Sequence, residues 1–221
     1  MMPSGMEMIF EYPAKIAAEL INDSVDIGLV PVAIIPQLKE SHILSDYCIG
    51  ADGEVASVCL FSDVPLHEIK SIYLDYQSRT SVALLKILLK ELYKISPELL
   101  PAKPGFESKI KNNVAGLVIG DRAFKQRKIS KFSFDLSSGW KTLTGLPFVF
   151  AAWIANKKLP QSFVSEFNNA IKFGIQNLDS VVADNYYENY NIETYFKQNI
   201  KYDFDEEKRK GLDLFLSKIK A

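Results

Sequence analysis

Residues 74–90 read LDYQSRTSVALLKILLK. The stretch Ser71–Asp75 is strand-like and stops at an acid. From about Val82 the spacing changes: Val82, Leu85, Leu88, Leu89 and Leu92 form an apolar stripe at helical period. Between the two patterns lie Ser78, Arg79, Thr80 and Ser81, with Ser78 placed to cap the helix. A core helix with a good cap explains the pattern. So does an anion site, because free N–H groups and the helix dipole favour a carboxylate or phosphate there. Thr80 and Ser81 would add hydroxyl donors, and Arg79 a planar fork. Capping needs one such residue, and four in succession lean toward a ligand.

The same alternation continues on both sides. Met6–Tyr12 reads as a short strand, residues 14–21 as a helix, and residues 25–30 as a strand closed by Pro31. A helical turn is expected over 32–38, and strands over 45–50 and 55–62, parted by the turn Ala51-Asp52-Gly53. Residues 114–119 and 148–155 are further strands, with helical signals at 122–126 and 137–143. Beyond Pro160 the chain is helical, with Phe163, Val164, Phe167, Ala170, Ile171 and Ile175 in register, and Asp203 and Glu206 pair as a capping box before Leu212, Phe215 and Ile219. Apolar strands alternating with helices predict an α/β fold with a largely buried sheet.

Composition narrows the function classes. A net charge of −1 with mixed signs argues against a nucleic-acid surface or a polybasic membrane patch, and the apolar runs fall far short of a membrane span. Cys48 and Cys59 are the only cysteines and lack metal spacing, which suits reduced thiols in a cytoplasmic protein. The start, MMPSGMEMIFEYP, lacks the basic and apolar regions of a signal peptide, so none is expected.

Single residues are ambiguous. Asp121 follows a buried strand, where open α/β sheets gather ligand groups, yet the sequence alone favours it as the N-cap of the next helix. Ser57 sits among small apolar residues, as a packed hydroxyl would. His42 and His67 fall in loops and read as solvated side chains. Phe148, Phe150 and Trp153 read as core. The chain has no GxGxxG, Walker, HExxH or GxSxG motif, which weighs against nucleotide, zinc-protease and α/β-hydrolase chemistry.

Five stretches in order, VDIGLVPVA (25–33), SDYCIGADGEVASVCLFS (45–62), LDYQSRTSVALL (74–85), GLVIGD (116–121) and WKTLTGLPFVFAAW (140–153), resemble the chorismate dehydratase family of the futalosine route to menaquinone. The sister family that makes 1,4-dihydroxy-6-naphthoate has small residues where this chain has Phe148-Val149-Phe150-Ala151 and uses a nearby histidine base. No histidine follows His67 here. A non-catalytic solute-binding protein of the same fold is the other alternative.

The resemblance implies a two-lobed α/β fold like the periplasmic binding proteins of the second type, with 55–62 and 148–155 as crossing strands. Lobe one would comprise 1–63 and 148–221, and lobe two 64–147. Ser78, Arg79, Thr80 and Ser81 would face the cleft from lobe two with Asp121 nearby, and Ser57 would approach from lobe one. The substrate implied is the small dicarboxylate chorismate, dehydrated to 3-[(1-carboxyvinyl)oxy]benzoate in the cytoplasm. No cofactor, metal, nucleic acid or membrane is implied. Relatives open with a strand and helix carrying Ser-Tyr-x-Asn, whose asparagine is thought to be catalytic. This chain has no such segment, and Met6–Tyr12 resembles the second strand of the family. The chain is therefore expected to be a fragment without a recognisable catalytic group and inactive as it stands, with an open edge in lobe one.

Overall fold

The strand ending at Leu74 and the helix opening at Arg79 fall at the junction of two sheets. In this computed structural model, which describes residues 5–220, one sheet is built from β1 (Ile27–Pro31), β2 (His42–Ala51), β8 (Phe148–Ala155) and β9 (Lys201–Asp203), in the order β1-β8-β2-β9. The other contains β3 (Val58–Ser62), β4 (Ser71–Leu74), β5 (Glu98–Pro101), β6 (Val114–Ile119) and β7 (Phe132–Asp135), in the order β5-β4-β6-β3-β7. The helices are α1 (Pro13–Ile21), α2 (Arg79–Leu88), α3 (Asp121–Arg127), α4 (Leu136–Thr144), α5 (Gln161–Gln176), α6 (Leu178–Asp184), the short α7 (Ile192–Thr194) and α8 (Glu206–Lys220). A 3-10 turn, Val32–Gln37, follows β1. This is the two-lobed α/β fold expected from the resemblance.

Strand alternation explains the layers. Along β3, Val58 and Leu60 face the main core, while Cys59 and Phe61 face a smaller cluster with Phe106, Ile110 and Val118. The main core runs across both sheets. Leu84, Leu85 and Leu88 of α2 are fully buried in it with Val30 and Ile34 from the β1 side. Burying each leucine contributes about 1.5–3 kcal/mol. Trp140 of α4 meets Phe148 of β8 and Phe215 of α8, with ring centroids 5.4 and 6.2 Å apart. Both cysteines are free and buried, and burial pushes the Cys48 thiol up to about 12.

The links between the sheets are residues 52–57 and 145–147. Strand β3 begins only at Val58, because Ala56 has a left-handed φ of 65°. The Asp135 carboxylate holds that bend: it accepts from the amides of Val55 (3.1 Å) and Ala56 (2.8 Å), and caps α4 through Ser137 and Ser138, both at 3.0 Å.

Two expectations need correction. Met6–Tyr12 forms no strand. Met8, Ile9, Phe10 and Tyr12 are exposed, Phe10 at 84%. An extended run needs a neighbour for its N–H and C=O groups, and among the described residues no ladder reaches it. β1 is instead the edge strand of its sheet, with α1 against it. The cap of α8 is Asp205, whose carboxylate accepts from the Lys208 amide at 2.9 Å, while Asp203 is spent in β9.

Candidate functional site

Register fixes where the candidate residues emerge. β4 and β6 run parallel, and β3 runs antiparallel to both β6 and β7. The chain before β3 and the chain after β4, β6 and β7 therefore leave the sheet at one edge. Ser57, Ser78–Ser81 and Asp121 all lie along it, as ligand groups do at the carboxyl ends of parallel strands. The turn after β1 meets this edge from the other sheet: the Ala33 amide donates to Thr80 Oγ1 at 3.2 Å.

Ser78 caps α2 as its position predicts. Its Oγ accepts from the Ser81 amide at 3.1 Å and donates to Ser81 Oγ at 2.8 Å. The amides of Arg79 and Thr80, in the first turn, have no intrahelical acceptor. Thr80 and Ser81 are only 1% exposed, so they lie inside the junction of the sheets. Arg79 is exposed and donates to Gln37 Oε1 at 3.1 Å, which ties it to the turn after β1.

The guanidinium that organises this edge is Arg122, which sequence reasoning passed over. Its Nη2 donates to both oxygens of the fully buried Asp75 side chain (2.8 and 3.0 Å) and to Gln77 Oε1 (2.8 Å), and its Nη1 to Glu107 (2.9 Å). Asp75 also accepts from the amides of Gln77 (2.8 Å) and Ile119 (3.2 Å). Burial works against the Arg122 charge, but Asp75 outweighs it and holds the pKa above its ordinary value. A signal was present in the sequence: Asp75 and Arg122 each follow a strand of one parallel pair, so they emerge side by side.

Ser57 and Asp121 meet at a second part of the edge. The Ser57 carbonyl accepts from the Gly120 amide at 2.8 Å, and its hydroxyl is 2.9 Å from the Tyr195 hydroxyl. Asp121 opens α3 behind Gly120, whose φ of 64° places it at the cap position. The Asp121 carboxylate is not the cap: it makes no hydrogen bond among the described residues, and its carbonyl accepts from Tyr187 Oη at 3.0 Å. Asp121, Phe124, Tyr187, Tyr190, Tyr195 and Phe196 line a recess of about 280 Å³, in which Phe124 stacks on Tyr190 with ring centroids 4.4 Å apart. Burial raises the Tyr195 pKa, and the bond to Ser57 pulls the other way. None of these tyrosines was read from the sequence, because they lie far along the chain in and around α7. A larger depression, about 500 Å³ beside Lys86, Lys90 and Lys94, lies toward the other end of α2 and touches none of the candidate residues.

Residues 1–221 match a protein family described as menaquinone biosynthesis. The chain is 30% identical over 197 residues to a chorismate dehydratase of Thermus thermophilus, covering 80% of this chain and 72% of that relative. Among solved structures, a protein of Archaeoglobus fulgidus superposes with a TM-score of 0.75 at 15% identity, over 97% of this chain and 85% of its own. A structure from Parabacteroides distasonis described as an ABC transporter gives 0.65 at 15% identity, over 96% and 80%. At that identity the likeness speaks for the fold alone.

Proposed function

Because the chain belongs to the menaquinone biosynthesis family, we propose that it is a hydro-lyase that converts chorismate to 3-[(1-carboxyvinyl)oxy]benzoate in the cytoplasm. The observation that carries this reading is the convergence of Ser57, Ser78, Thr80, Ser81 and Asp121 on one strand-end edge at the junction of the sheets. It agrees with the resemblance of the chain to chorismate dehydratase.

The reaction removes the C3 hydrogen and the C4 hydroxyl. The ring becomes aromatic, so the driving force is intrinsic. The protein orients a dianion and moves one proton. In this reading the first-turn amides of α2, with the Thr80 and Ser81 hydroxyls, hold a substrate carboxylate, where the helix dipole favours negative charge. The Asp121 carboxylate, with no partner among the described residues, accepts from the C4 hydroxyl and keeps the carboxylates pointed away. Thr80 and Ser81 are buried, so substrate enters by parting the contacts Ala33–Thr80 and Gln37–Arg79.

The test is direct. Purified chain is incubated with chorismate, and the aromatic product is followed by its absorbance and mass. Product formed at a rate above the spontaneous background supports the reading. Saturable binding of chorismate without any product, both in this chain and in one preceded by the family's opening strand and helix, would make the protein a binding module instead.

A further inference from the structure

The depression at the far end of α2 carries positive charge that no described acid offsets. We propose that it is a binding site for an organic dianion: two anionic groups carried on an apolar or planar body. The inference goes beyond the dehydration reading and does not rest on it, because it concerns other residues and is tested by binding alone.

Charge is the first argument. The depression, about 500 Å³, is lined by Lys86, Lys90 and Lys94. All three are exposed, and among the described residues none has an ion-pair partner. They stand four residues apart, so each lies about one turn from the next, and like charges at that spacing destabilise a helix. Elsewhere the chain sets an acid four residues before a lysine: Glu11 and Lys15, Glu193 and Lys197, Glu206 and Lys210. Between Val82 and Pro97 the only acid is Glu91, and it is paired with Lys218 at 2.6 Å. Glu98 precedes Leu99, which lines the depression, so along β5 it points to the opposite face. The helix dipole accounts for a lysine in the last turn. It does not account for a row that begins two turns earlier with no acid beside it.

The backbone is the second argument. α2 continues into a π-helical turn, Leu89–Tyr93, and Lys94 ends it with a left-handed φ of 54°. Glycine or asparagine is usual at such a helix end, and a lysine is strained there. The third cation is therefore kept against its backbone preference. Shape is the third argument. Leu89, Ile95 and Leu99 line the same depression, with Leu89 buried and Leu99 36% exposed. Ammonium groups beside apolar surface suit anionic groups attached to an apolar body. A bare inorganic anion would leave the apolar part in water. Three cations also exceed what a single carboxylate offsets. A dicarboxylate and a phosphorylated compound share this chemistry.

The experiment is isothermal titration calorimetry at low salt, with isophthalate and adenosine diphosphate as the two dianion probes and benzoate as the single-charge control. At least one dianion should bind saturably and more tightly than benzoate, and about 1 M salt should weaken it strongly. The tighter of the two probes tells whether the ligand class is dicarboxylate or phosphate. Each single Lys→Gln change at 86, 90 or 94 should weaken binding about two- to fivefold, and the triple variant about tenfold or more. Lys94→Gly should weaken binding without lowering the melting temperature, since glycine accepts the left-handed φ. A lysine that served only the fold would not separate those two readouts. The proposal is overturned if no dianion binds more tightly than benzoate. It is also overturned if the triple variant binds as wild type while Ser81→Ala loses binding, which would put the ligand at the start of α2. Chorismate turnover does not enter these measurements, so this inference and the dehydration reading fail separately.

Discussion

Asp75→Ala is the sharpest test of how the strand-end edge is held. The Asp75 side chain is fully buried, while 26% of the Arg122 side chain is exposed. Removing the carboxylate leaves a half-buried guanidinium with only Glu107 and Gln77, and frees the amides of Gln77 and Ile119. Breaking a buried pair costs about 3–5 kcal/mol. The partial exposure of Arg122 argues for the low end, and the two amides add up to about 1 kcal/mol each. The expected loss is therefore about 3–5 kcal/mol, a large part of the roughly 5–15 kcal/mol that holds a typical domain. Urea unfolding followed by circular dichroism measures it. Asp75→Asn keeps an acceptor oxygen and should lose less. In a double-mutant cycle with Arg122→Met, the second change should cost little once the first is made. A loss below about 1 kcal/mol for Asp75→Ala, or additive single effects, would refute the view that this pair organises the edge.

Three further outcomes are expected. In a chain that carries the family's opening strand and helix, Ser81→Ala should lower kcat/KM for chorismate about tenfold or more, since a hydrogen bond to a charged group contributes about 1.5–3 kcal/mol, and steady-state kinetics checks it. Burial raises Tyr93 and Tyr202 to about 12. A raised folded pKa means stability that is complete below the unfolded value, near 10, and lost as pH rises toward 12. Stability measured across that range should fall with pH, and Tyr93→Phe with Tyr202→Phe should flatten the slope. Gly211→Ala should destabilise by about 1–3 kcal/mol, because a Cβ there would overlap the Pro147 carbonyl of the link between sheets, and thermal melts report it.

What the sequence disclosed follows burial. β6 and β8 run over the predicted residues, since each lies between two partners and carries an unbroken apolar run. β5, β7 and β9 were not anticipated: all are sheet edges, where one side is unpaired and the residue pattern is weak. Met6–Tyr12 failed in the opposite sense, being apolar with no neighbour to pair with among the described residues. At the site, the shift from strand to helix made Ser78–Ser81 visible from local spacing. Arg122 and Tyr195 depend on contacts across 47 and 138 positions of chain, which a local pattern does not carry.

The sheet order β1-β8-β2-β9 also governs the timing of synthesis. β1 and β2 do not pair with each other, since β8 lies between them. About a hundred residues separate the end of β2 from β8. At about 5–20 residues per second, the ribosome leaves both strands without a ladder partner for roughly 5–20 s. The five-stranded sheet closes entirely within residues 58–135 and can form while they wait. Hydrogen exchange on ribosome-bound chains that stop short of β8 should therefore show the amides of β3 and β6 protected and those of β1 and β2 open. During that interval the unpaired edges of β1 and β2 are the part of the nascent chain most open to chaperones and to aggregation.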